Sequence, residues 1–122
     1  MATTSFESFE VYKKGLVLSK AIFELLNAKT FEKEYAFKEQ LKRAVISITN
    51  NIAEGSEYNN NKQFVRFLKM SKGSCAEVRS MLLLGKELGF YNREEIESSY
   101  LMTTEISQQI SNFINYLKAK TA

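Results

Sequence analysis

The chain has 122 residues, a net charge of +3 and a sequence pI near 8.9, with no His, no Pro, no Trp, one Cys, and Glu as its only acidic residue type. Without His or Asp, no Ser-His-Asp or Cys-His catalytic constellation and no His/Cys zinc site can be assembled, and Cys75 has no intramolecular disulfide partner. The length fits a single domain over 1–122 with a real core, and the mildly basic balance suits nucleic acid as well as many ordinary cytosolic proteins.

Absence of Pro and only five Gly favour long helices. The first is predicted from Ser5 or Ser8 to Asn27. Val11, Leu18, Ile22, Leu25 and Leu26 mark its buried face, and Thr4 with Glu7 resembles a capping box. A linker from Ala28 to Lys33 follows. The second helix is predicted over Glu34–Glu54, because Phe37, Leu41, Val45, Ile48 and Ile52 recur at helical spacing. Its segment "AVISIT" alone could pass for a strand, but the longer periodicity decides for a helix. Gly55 is expected in the left-handed position after the helix end.

The third helix is predicted to start after "SEYNNN", capped by Asn60 with Gln63, and to run to Leu88 before Gly89. The fourth starts at Asn92, with Glu95 at the third helical position, and runs to about Ala119. Its spine is Met102, Ile106, Ile110, Phe113 and Leu117. Short connections make consecutive helices antiparallel, so the predicted fold is all-α, an up-down-up-down antiparallel four-helix bundle. No signal-peptide pattern opens the chain and no apolar run reaches about 18 residues, which makes the cytoplasm the expected compartment and a membrane partner unexpected.

Two features point to self-association. On helix 3, Phe64, Phe67, Leu68, Cys75, Val78 and Leu82 form one apolar face, and Met70, Met81, Leu84 and Leu88 form another. Together they exceed the three positions in seven that a bundle helix needs, a surplus that a most central helix in a monomer explains as well. On helix 2, Gln40, Arg43, Ser47, Asn51 and Glu54 recur at three or four residues and line one stripe. Varied short polar side chains fit a partly buried seam, with Arg43 and Glu77 as expected partners, although a solvated face fits the spacing too. Cys75, among Ser71, Gly73, Ser74 and Ala76, reads as a small packing residue.

The residues Gln40, Arg43, Ala44, Ser47, Ile48 and Asn51-Ile52-Ala53-Glu54-Gly55, then Phe64, Arg66, Phe67, Leu68, Gly73, Ser74, Glu77 and "LLLGKELGF", resemble the bacterial four helix bundle proteins of the 23S rRNA intervening-sequence, or S23 ribosomal protein, family. The opening "FEVYKKG" is similar to that family's, with Tyr12 where Trp is usual. The resemblance covers nearly the whole chain and implies a ring-like homopentamer. Relatives are encoded in insertions within ribosomal RNA genes or elsewhere, and a related branch of retroelement accessory proteins binds nucleic acid. This chain departs from the family pattern at Glu32 and Thr49, where Pro is common, which leaves the fold unthreatened. It departs again at Glu57, Tyr58, Asn59, Asn60 and Asn61, where Arg or Lys is frequent.

Helix 3 carries six basic residues against two acidic ones from Asn60 to Leu88, a net +4. Lys62, Arg66 and Lys69 lie within about 60° of one another, with Lys72 nearby. The expected function is weak, sequence-tolerant RNA or DNA binding through Lys62, Arg66, Lys69 and Lys72, multiplied by the oligomer. A solvated helix face explains each Lys singly. Tyr58 either stacks a base or packs on its own loop. The alternative is a protein-interaction scaffold without nucleic-acid binding. No catalytic residue, cofactor or metal ligand is expected: Glu54 and Glu77 are the carboxylates to watch, and pairing with Arg43 accounts for them.

Overall fold

Leu41, Val45, Ile48 and Ile52 are wholly buried on one face of α2 (Tyr35–Ser56), as their spacing of four, three and four residues requires. The structure is a computed structural model that describes residues 5–27 and 34–121, with no strand among them. A 3₁₀ turn, Phe6–Ser8, precedes α1 (Glu10–Leu26); α3 spans Asn61–Glu87 and α4 spans Arg93–Thr121. No helix among the described residues is long and apolar enough to cross a membrane.

The cross-helix contacts fix an antiparallel, up-down-up-down bundle. Gln40 meets Glu77, Ser47 meets Ser74 and Ile48 meets Ser71, so residue numbers fall along α3 as they rise along α2. The same holds between α1 and α2 for Gly15 with Thr49 and Phe23 with Lys42, and between α1 and α4 for Phe9 with Phe113 and Lys14 with Glu105. The core runs through Leu18, Ile22, Leu68, Leu82, Ile106 and Ile110, each with no exposed surface. Burying six such side chains contributes roughly 1.5–3 kcal/mol apiece before chain entropy opposes it.

Both predicted caps at the later helix starts are present. Asn60 accepts from the Gln63 amide at 3.0 Å. Asn92 and Glu95 exchange hydrogen bonds at 2.9 Å each way, a reciprocal capping box. Gly89 takes φ 79° after α3, where a Cβ would be strained. Helix α1 starts later than the predicted Ser5 or Ser8, at Glu10. The chain makes only a 3₁₀ turn at Phe6–Ser8, capped by Ser5 onto Glu7, and is extended at Phe9 before α1 begins. Aromatic docking accounts for the break: Phe6 packs on Tyr12 at 4.9 Å and Phe9 reaches Phe113 at 5.2 Å. Thr4 and the linker Ala28–Lys33 lie outside the described residues.

Gly55 is also corrected. It is buried inside α2, which continues to Ser56, and the left-handed residue of this connection is Asn59, at φ 51°. A Cβ on Gly55 would lie 2.6 Å from the Cβ of Phe67 and 2.9 Å from the ring of Phe64. The glycine is there for helix-to-helix approach. Gly15 serves α1 and α2 in the same way, since its Cβ would meet the Thr49 methyl at 2.5 Å.

Candidate assembly seam and cationic groove

The predicted polar row of α2 runs along its junction with α3. Gln40 donates its side-chain amide to Glu77 at 2.5 Å. The half-buried Ser47 hydroxyl accepts from Asn51 Nδ2 and from Ser74 Oγ, both at 2.9 Å, and the Ser47 carbonyl accepts from Asn51 at 2.8 Å. Beneath this layer the fully buried Ser71 donates to the Ile48 carbonyl at 2.8 Å. Four of the predicted residues, Gln40, Ser47, Asn51 and Glu77, therefore come together, with Ser71 and Ser74 added from α3. Such bonds each contribute about 0.5–1.5 kcal/mol net, and they fix register as well.

The expected pairing of Arg43 with Glu77 does not form. Glu77 takes Gln40, and Arg43 lies about 60° further round α2, away from α3. Arg43 and Glu54 are both exposed and make no hydrogen bond or ion pair among the described residues. Beside this seam α3 exposes large apolar groups: Met70 and Leu84 are each 49% exposed and Leu88 is 55% exposed. Gly73 stands in mid-helix with nothing within 4 Å of where its Cβ would be. An exposed helical Gly costs about 1 kcal/mol relative to Ala, with no return inside the bundle.

The N-terminal half of α3 differs in chemistry. Lys62, Arg66 and Lys69 are exposed and have no carboxylate partner among the described residues. They border a groove of about 470 Å³ lined by Asn61, Lys62, Val65, Arg66, Lys69 and, from α4, Lys118. Val65, 8% exposed, forms the floor. Lys72 is half-buried and lies off this row. Sequence reasoning missed Lys118. The signal was present in the basic last turn of α4, which antiparallel packing brings to the start of α3. One face of the Tyr58 ring stacks on Phe67 at 5.2 Å and 23°, and the residue stays 55% exposed.

Two buried groups carry perturbed ionisation. Burial pushes the Cys75 thiol up to about 12, outweighing the nearby charges of Arg79 and Lys72, which pull it down. It is a packed thiol with no thiolate character near neutrality. Burial likewise raises Tyr91, against a lowering hydrogen bond from the Gly85 backbone. A second cavity, of about 270 Å³, lies between Phe9, Glu10, Val11, Gln109, Asn112 and Phe113. Its environment includes the buried Gln109 Oε1, an acceptor with no partner among the described residues.

The sequence pattern of the family described as 23S rRNA-intervening sequence protein matches residues 7–112, a span that contains the whole seam and the α3 side of the groove. The fold is similar to a crystal structure of a protein of unknown function from the S23 ribosomal protein family of Bacteroides thetaiotaomicron. That chain is 25% identical, the match covers 85% of this chain and 97% of that one, and the TM-score is 0.78. No curated protein matches the chain.

Proposed function

The chain belongs to the 23S rRNA-intervening sequence protein family, and from that premise we propose that it is a non-enzymatic, cytoplasmic bacterial homopentamer that binds RNA or DNA weakly and without sequence preference. The observation that carries the nucleic-acid reading is the exposed row Lys62, Arg66 and Lys69, with no carboxylate to neutralise it among the described residues. Phosphate contacts of this kind position a polynucleotide without reading bases. Fivefold repetition turns a weak contact into a useful one.

Assembly is supported by what the protomer leaves unfinished. Arg43 and Glu54 offer one charge of each sign with no internal use, and Gly73 opens a notch between Met70 and Leu84. A second copy laid on the α2–α3 face would use all of these. The turn Glu57–Asn61 has no basic residue, which favours the alternative reading, a protein-interaction scaffold.

Light scattering after size exclusion tests assembly, with a five-chain mass expected; a mass of one or two chains defeats the pentamer. Titrating salt against RNA and DNA binding tests the rest. Affinity should fall steeply with salt, and replacing Lys62, Arg66 and Lys69 by Glu should abolish it. Unchanged binding in that variant rules out this surface, and salt-insensitive capture of a protein points to the scaffold.

A further inference from the structure

We propose that the groove between the start of α3 and the end of α4 is the seat of one unpaired polynucleotide strand, held by its phosphates between Lys62, Arg66 and Lys69 on one wall and Lys118 on the other. The inference rests on the nucleic-acid reading above and gives it a place and a strand type.

The cations are strung out along the groove. Lys62 and Lys69 are seven residues apart, about 10 Å along the helix axis. That spacing matches a chain of phosphates better than a single free anion. Among the described residues that line the groove there is no carboxylate. The floor is the nearly buried Val65, an apolar surface beneath the exposed cations.

Width decides between one strand and two. The axes of packed helices lie about 8–10 Å apart, so a furrow between α3 and α4 accepts one backbone and leaves a duplex on its rim. Among the described residues no aromatic side chain lines the groove. Base stacking therefore has no platform, which makes binding tolerant of sequence.

The test uses the full chain and a short mixed-sequence single strand, as RNA and as DNA, with fluorescence anisotropy followed against salt. Four proteins are compared: wild type, Lys118→Gln, the triple Lys62→Gln/Arg66→Gln/Lys69→Gln variant, and Lys20→Gln as a control on the outer face of α1. Circular dichroism verifies that each is folded. Lys118→Gln should weaken binding several-fold and lower the slope of log affinity against log salt by about 0.7, while Lys20→Gln changes neither. The duplex of the same sequence should bind more weakly than the single strand. If Lys118→Gln behaves as Lys20→Gln while the triple variant loses binding, the two-walled groove is wrong and the α3 reading survives. A preference for duplex overturns the single-strand assignment. Absence of binding by wild type at low salt overturns the groove and the nucleic-acid reading together.

Discussion

Tyr91 sets its phenolic oxygen against Gly85, in the space that a Cβ on that residue would occupy. The same hydroxyl donates to the Met81 carbonyl at 2.8 Å, so the short α3–α4 connection is tied back onto the last turns of α3. Gly85→Ala should therefore destabilise the protein although Ala is the better helix former. Overpacking costs about 1–3 kcal/mol, against a propensity gain of at most about 1 kcal/mol. Tyr91→Phe keeps the ring and loses the hydrogen bond, for about 1 kcal/mol. Urea midpoints rank the variants, and a Gly85→Ala midpoint above wild type contradicts the packing.

Alkaline pH should loosen the fold. The folded Cys75 thiol titrates near 12 and its unfolded counterpart near 9.0. A group whose folded pKa is raised contributes stability that is complete below the unfolded value and lost as pH climbs toward the folded one. The window thus opens near pH 9, with at most about 1.4 kcal/mol lost per pH unit for this group. Tyr91, raised from 10.0, adds to the loss from about pH 10 upward. Cys75→Ala should shift the onset by about one pH unit, to where Tyr91 takes over. Thiolate absorbance that appears near pH 9 in the folded protein contradicts the burial argument.

The parts of this fold legible in the sequence are those set by periodicity and local capping. The α2 spine, the Asn60 and Asn92 caps and the Gly89 turn depend on neighbours within four residues. What escaped depends on distant partners. Gly55 sits inside a helix because Phe64 and Phe67 arrive from α3, and Phe9 breaks α1 because Phe64 and Phe113 receive its ring. The α2 row was visible as a stripe, yet its pairing was not. One turn of α2 separates Gln40 from Arg43, and only the packed angle of α3 decides that Gln40 takes Glu77. Lys118 was hidden for the same reason, since its place beside Lys62 follows from where two helices happen to end.

The exposed apolar half of α3 gives the assembly reading its sharpest handle. Leu84 is 49% exposed in the protomer, so Leu84→Glu removes no core contact and places a favourable helix former in solvent. A folded monomer with unchanged helix content is the expected product, because five copies would each bury an unpaired carboxylate at the interface, at several kcal/mol per assembled ring. Lys62, Arg66 and Lys69 remain intact in that variant, about four to six turns away along the helix. Short single strands should then bind with unchanged affinity per chain, while long strands lose the gain from multiple attachment. If Leu84→Glu retains the wild-type mass by light scattering, the subunit contact lies elsewhere on the bundle, and the unpaired Arg43 and Glu54 must face a different neighbour.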